Sequence, residues 1–430
     1  MVNLARKRVL IASLIAGSAA VLAGSVIPLV TTSSAAAVPS LSFAAPVQVG
    51  TGGSEPGIVQ APDGNLFINA PDGLLSNGTS PSLVFRSNAA GLSWALTPPG
   101  ARSNNPGGGD SQIAVDPSSG TLSMIDLWLG SATASVSTDD AHTWTAQPIG
   151  GQPVQDRPWI AAAGGGIAYE ATHALPAGIV VAKSTDNGLA YGPGVVAATT
   201  ADQTGCVCPP GNIIAQGSGG LLGTADKVGV IYATSTGGIN FAHSSNGGTT
   251  WTNTSIQAAS SSTTNSAFPV VANGGGSRLY TAWLNETGSA SVIAFSTSSD
   301  WGSTWSAPTT IVSSGTSVYP WIAANASTVA VSLYNTPSVS ATPDAPPSNA
   351  EWFASALKST DRGSTWSSLT TADPTPAKTG PVCTGGTSCT ADRELGDFQT
   401  VILDSVGHVD VSYVRVPSAG VEDIEFIQGT

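Results

Sequence analysis

The sequence predicts an all-β protein, a ring of seven four-stranded blades, and three observations carry that prediction. The chain has 430 residues with 50 Gly and 29 Pro but only 10% charged residues, a turn-rich composition poor in helix formers. An octapeptide recurs six times: SNAAGLSW at 87, STDDAHTW at 137, STDNGLAY at 184, SSNGGTTW at 244, SSDWGSTW at 298 and STDRGSTW at 359. Its closing aromatics, Trp94, Trp144, Tyr191, Trp251, Trp305 and Trp366, are 50, 47, 60, 54 and 61 residues apart. A period of about 50 with short strands inside each unit is the signature of a β-propeller.

The elements follow in order within each unit. In the fifth, FPVVANGGG supplies an innermost strand and turn, RLYTAWL a second strand, SVIAFSTS a third, the octapeptide a turn, and TWSAPTTIV a fourth. Innermost strands begin seven times, at SEPGIVQA, GDSQIAVD, DRPWIAAA, GNIIAQGS, AFPVVANG, YPWIAANA and GDFQTVIL. The seventh unit, FQTVILD, HVDVSYVR and DIEFIQ, stops one strand short. LSFAAPVQV, residues 41 to 49, resembles the strand that follows an octapeptide and is expected to complete that last blade. Such closure removes the free sheet edges of an open array.

Ahead of this ring, Arg6, Lys7 and Arg8 precede an apolar stretch from Val9 to Val30 and the small residues Ala35 and Ala37. Residues 1–37 read as a secretory signal, leaving 38–430 as a propeller that is secreted and carries no stable membrane span. Removal of the three basic residues leaves 11 of the 14 Lys and Arg against 27 Asp and Glu, a formal charge of −16. That field argues against nucleic acid as a partner. In an exported chain Cys206, Cys208, Cys383 and Cys389 are disulfide candidates, and four cysteines allow three connectivities. Cys383 and Cys389 enclose a Gly-rich loop that closes easily, whereas a bridge between Cys206 and Cys208 would be strained.

The pattern S-x-D-x-G-x-T-W, complete in SSDWGSTW and STDRGSTW, resembles the Asp-box, or bacterial neuraminidase repeat, of the sialidase superfamily. The resemblance implies a propeller, six-bladed in sialidases themselves, and extends over nearly all of the chain after residue 37. It includes sialidases, other glycosidases and non-catalytic binding propellers, so it implies architecture more than activity. Within the octapeptide, Asp is expected to accept backbone N–H bonds across the turn, Gly to take a positive φ, and Trp to pack between sheets. Ala89 replaces the Asp of the first copy and Ala141 the Gly of the second, substitutions a turn staple tolerates and a catalytic group does not.

If the octapeptides lie on the bottom of the ring, the starts of the innermost strands and the ends of the second strands surround the top of the channel. The first set supplies Glu55, Asp110, Asp156, Arg157, Phe268, Tyr319, Arg393, Glu394 and Asp397; the second supplies Asp126, Trp128, Glu170, His173, Trp283 and Arg415. Carboxylates beside aromatic platforms suit a sugar, whose apolar faces stack and whose hydroxyls need hydrogen bonds. Asp156, Arg157, Glu170, Arg393 and Asp397 are the catalytic candidates for glycoside hydrolysis, which needs two carboxyl groups flanking one bond. Glu55, Asp110, Trp128, Trp283, Tyr319 and Arg415 are the candidates for substrate binding.

The resemblance to sialidases also implies a three-arginine grip on an acidic sugar, for which Arg102, Arg157, Arg393 and Arg415 are placed. The F/Y-R-I-P motif of sialidases is absent, its nearest counterparts being VFRSN and DRPW, and this argues against strict sialidase activity. The expected partner is thus a glycan or extracellular polysaccharide, and a monomer is expected to act on it. The rival reading is a non-catalytic scaffold that presents the top face to a protein. No cofactor is expected; of the metals, Ca²⁺ held by carboxylates and carbonyls at the mouth fits the residue types better than ligation by the scattered His, and a soft metal at Cys206 and Cys208 ranks below their use as disulfide cysteines.

Overall fold

The computed structural model describes residues 38–72, 80–88, 90–150, 154–205, 208–218, 226–258 and 268–430. The segment read as a secretory signal lies outside the described residues, as do Cys206 and Ala89. Seven antiparallel sheets of at least four strands form the blades. Blade one comprises Gly57–Gln60, Leu66–Ala70, Leu83–Ser87 and Trp94–Leu96; blades two to five repeat this order from Ser111–Val115, Gln155–Gly164, Pro210–Gln216 and Val270–Asn273. Blade six starts with Thr316–Asn325, and its third strand, Glu351–Ser359, pairs with two short outer segments, Thr370–Thr371 and Lys378–Thr379. Among the described residues no helix is long and apolar enough to cross a membrane.

Blade seven joins the two ends of the ring. Thr400–Leu403, Val409–Ser418 and Val421–Gly429 are followed by Val47–Thr51, which pairs with the third strand in the register Val47 opposite Phe426. Ala44 N–H donates to the Gln428 carbonyl at 2.9 Å and Thr430 N–H to the Ser42 carbonyl at 2.9 Å. Six octapeptides therefore serve seven blades: in the seventh, the third and fourth strands come from opposite ends of the propeller and have no turn between them.

Each sheet is buried on both faces, so most second and third strands read as continuous apolar runs rather than alternating ones. In Leu279–Glu286, Tyr280, Ala282 and Leu284 belong to the largest core cluster, while Leu279 and Trp283 belong to a separate cluster on the other face. Side chains also fasten neighbouring innermost strands. Asn212 donates to the Val271 carbonyl at 2.9 Å and accepts from Val271 N–H at 2.8 Å, and Thr400 Oγ1 accepts from Ile58 N–H at 3.0 Å where blade seven meets blade one.

The octapeptide turns lie between third and fourth strands, on the face opposite the innermost-strand starts. In SSDWGSTW, Asp300 Oδ1 accepts from Thr304 N–H at 2.9 Å and Oδ2 from the Thr304 hydroxyl at 2.6 Å. Ser298 Oγ accepts from Gly302 N–H at 2.8 Å, and Trp305 Nε1–H donates to the Gly302 carbonyl at 3.2 Å. Gly302 has φ +82°, and a Cβ there would stand 2.3 Å from the Phe241 ring of the preceding blade. In blade two Ala141 holds φ 63°, so the dihedral alone is tolerated and the ring contact is what demands glycine in blade five. Gly302→Ala is expected to lower stability by about 2–4 kcal/mol, read from denaturant unfolding, and the double change with Phe241→Leu to recover part of that loss.

Candidate functional site

Three residues at the starts of innermost strands, Glu55, Arg157 and Tyr319, take left-handed φ values of 49°, 48° and 51°. Each precedes a proline. In blades three and six the strand register shifts at this point, between Asp156 and Trp159 and between Val318 and Trp321. A bulge re-aims its side chain, and proline, lacking an N–H, fits where the ladder is interrupted. The conformation costs about 1–2 kcal/mol per residue, and it turns Arg157 towards the ring axis.

Arg157 is the centre of the mouth, with a side chain only 3% exposed. Its Nη1 lies 2.7 Å from Glu55 Oε2 of blade one and 3.0 Å from Asp110 Oδ1, just ahead of blade two. Its guanidinium carbon stands 4.7 Å from the Trp159 ring centre, 4.9 Å from that of Phe268 and 4.6 Å from that of Phe398. Trp159, Trp321 and Phe398 pack with centroids 5.2 to 5.6 Å apart, and Phe268 lies edge-on to Trp159 at 5.8 Å. These four rings, from the innermost strands of blades three and six and the residues that lead into those of blades five and seven, pack together beneath the guanidinium.

A second arginine approaches along the rim. Arg393 donates through Nε and Nη2 to the two oxygens of Asp397, at 3.2 and 2.8 Å, a fork-on-fork pair. Asp397 N–H donates to Glu55 Oε1 at 3.1 Å. The turn between them needs Gly396, at φ +67°, because a Cβ there would stand 2.5 Å from Glu55 Cγ. Two guanidinium groups thus bind Glu55, Asp110 and Asp397 into one network.

Burial pushes the Glu55 carboxyl up to about 7, against the pull of Arg157. Burial also raises Asp110, again opposed by Arg157. Arg157 itself is disfavoured by burial, yet the charges of Glu55, Asp110 and Asp397 hold its pKa above the ordinary value. Asp156 shifts the other way: the imidazole of His173, its cross-strand partner with Nδ1 3.9 Å from Asp156 Oδ2, holds its carboxyl below the usual range. Asp156 is 58% exposed and Asp110 26%, so these two carboxylates of the mouth meet solvent.

The sequence-predicted residues divide by place. Glu55, Asp110, Arg157, Arg393 and Asp397 meet in one network, with Asp156 beside it. Tyr319 is 1% exposed and donates its hydroxyl to the Cys383 carbonyl at 3.1 Å, so no substrate reaches its ring in this arrangement. The loop that covers it is closed by the Cys383–Cys389 disulfide, and Asp344, in the long link before the third strand of blade six, accepts from Thr384 N–H at 3.0 Å. Cys208 is disulfide-bonded as well.

Glu170 lies away from the mouth, buried in the second strand of blade three, where Gln155 Nε2 donates to it at 2.9 Å and burial raises its pKa to about 8. Trp283 is buried between blades, its Nε1–H donating to Gln257 at 3.2 Å, rather than standing as an open platform. Arg415 pairs with Glu425 on the adjacent strand of blade seven, and Trp128 is a half-buried residue at the end of its strand. Arg102 is buried with Nη1 on the Ser82 carbonyl at 2.7 Å and its guanidinium over Trp144. Two arginines, not three, therefore converge on the mouth. The aromatic plug had a sequence signal, the Pro-Trp-Ile-Ala of DRPWIAAA and YPWIAANA, but nothing in the pattern says that both tryptophans point to the axis. Among the described residues no three His, Cys, Asp or Glu side chains group as a metal cage.

The sequence matches no known family model and no curated protein. Solved structures with a similar course include a protein of unknown function from Dyadobacter fermentans, 13% identical over 91% of this chain and 99% of that one, with a TM-score of 0.46. An α-L-arabinofuranosidase from Fusarium graminearum is 11% identical over 90% and 98%, with a TM-score of 0.48. An ulvan lyase is 10% identical over 89% and 95%, with a TM-score of 0.48. Similarity at this level assigns no activity to the chain.

Arg157→Ala takes the nearest counter-charge from the buried Glu55 and from Asp110, leaving only Arg393 beside them, and is expected to destabilise the fold by about 3 kcal/mol in denaturant unfolding. The buried carboxyls of Glu55, Asp410 and Glu425, each raised to about 7, and of Glu170, raised to about 8, bind protons more tightly in the folded chain than in the unfolded one. Their contribution to stability is full near pH 4 to 5 and is lost as pH rises towards 8. The melting temperature should therefore be higher at pH 5.5 than at pH 8, and Glu55→Gln should flatten that slope.

Proposed function

We propose that the chain is an exported, glycan-active propeller of the sialidase superfamily, working at the top face on neutral rather than sialylated sugar. The observation that carries the reading is the pair Asp110 and Asp156, two solvent-reachable carboxyls at the channel mouth whose pKa values are displaced in opposite directions. Carboxyls separated in this way divide into an acid and a base. Asp110, raised, is suited to protonate a glycosidic oxygen; Asp156, lowered beside His173, is suited to activate water or stabilise the developing cation. Arg157 and Glu55, almost wholly buried, act as positioning residues that hold Asp110 in place.

Charge supports the choice of a neutral substrate. Four carboxylates, Glu55, Asp110, Asp156 and Asp397, face two arginines, and both guanidinium groups are already engaged by carboxylates. An acidic sugar would meet a mouth without free positive charge. The octapeptide turns, with Asp and Ser accepting the bonds expected of an Asp-box, support the superfamily reading, and disulfide-bonded cysteines support export.

The test is a screen of the purified chain against neutral oligosaccharides and their sialylated counterparts. Turnover of a neutral glycan is expected, reduced at least about 100-fold by Asp110→Asn and by Asp156→Asn with little change in the melting temperature. Turnover unaffected by either change would overturn the assignment. Saturable binding without turnover would establish the non-catalytic alternative.

A further inference from the structure

The bottom face carries a cavity of about 430 Å³ between blades one and two, within the span of about 300–1,000 Å³ usual for small-ligand sites. It lies at the first two octapeptides, each of which departs from the pattern. Trp94, which closes the first, lines it, with its Nε1–H tied to the Gly91 carbonyl at 3.1 Å and its ring tilted against Phe426 at 5.3 Å. The ring is fixed in place while still half-exposed.

The polar wall is a chain of bonds. Arg86 Nη2 donates to Asp140 Oδ2 at 3.1 Å, and Asn65 Nδ2 donates to the same oxygen at 3.4 Å. His142 Nδ1 lies 2.6 Å from the Asp139 carbonyl, which accepts only, so Nδ1 carries the proton and Nε2 accepts from Arg86 Nη1 at 3.3 Å. Arg86 is 31% exposed and Asp140 34%, so donor and acceptor groups both remain open to solvent. The pair is neutral in sum, and His142 is neutral in this tautomer.

We propose that this cavity is a second saccharide site, separate from the channel mouth and on the opposite face, for a neutral sugar ring. A fixed indole offers the face on which a pyranose stacks, and a neighbouring Arg–Asp pair offers a donor and an acceptor to adjacent hydroxyls. A phosphate or carboxylate ligand would have to displace Asp140 from Arg86, which leaves a polyhydroxylated neutral ligand as the chemical match. Such a site would hold a polymer against one face while the other face acts on it, raising the local concentration of substrate.

The test uses maltose, cellobiose and lactose as probes, with saturation-transfer NMR on the full propeller and titration of whichever binds. Asp110→Asn with Asp156→Asn removes the two solvent-reachable carboxyls of the top face, and Arg86→Gln and Asp140→Asn alter the cavity without touching the bonds that staple Ser137, Asp139 and Thr143. At least one disaccharide is expected to bind, with affinity unchanged in the top-face double variant and weakened at least about tenfold by Arg86→Gln or Asp140→Asn. No binding of any of the three, binding lost with the top-face pair, or binding indifferent to both cavity variants would each overturn the proposal.

Discussion

A buried guanidinium must find negative charge, and in this protein that need fixes the centre of the ring. Arg157 reaches its partners only from a left-handed backbone position, and those partners come from the first two repeats of the chain. Beneath it lie rings from blades three, five and seven. Buried ion pairs contribute little net stability beside well-packed apolar groups, and the attested use of such pairs is to specify which surfaces meet. Here the network joins blades far apart in sequence, so its bonds form only when the circle is complete.

The same network divides the mouth into a floor and a rim. On the floor, Glu55 joins Arg157 to the backbone N–H of Asp397, and all three are shut from water by the aromatic plug and by the turn through Gly396. At the rim, Asp110 and Asp156 keep contact with solvent. Their unlike environments arise from the fold: Asp110 is drawn inward to Arg157, while Asp156, one residue before the bulge, points to His173 on the next strand. A one-residue bulge thus sends two adjacent side chains, Asp156 and Arg157, to opposite kinds of surroundings.

Much of the architecture was legible because propeller repeats are local. Six octapeptides, seven strand starts and a stray N-terminal strand sufficed for the blade number and the closure, since each depends on turn chemistry and pairing within about 50 residues. The site was legible only in part. Glu55, Asp110, Arg157, Arg393 and Asp397 could be placed at strand starts, where the chain crosses the top face. Glu170, Trp283 and Arg415, on second strands, could not: in a sheet buried on both faces, alternation does not distinguish a side chain facing the mouth from one packed between blades. Tyr319 sits at a strand start yet is covered by a loop that arrives more than sixty residues later in the chain.

By itself, the sequence determined the all-β ring, its seven repeats, the strand that closes it and the face opposite the turns, because turn chemistry and a strand-turn unit recurring about every 50 residues are written in short stretches. Tertiary structure alone decided which charges neutralise one another, which carboxyls stay open to water, and that four aromatic rings fill the axis. Those outcomes depend on distances between residues hundreds of positions apart, such as Glu55 and Asp397, and only closure of the ring sets them.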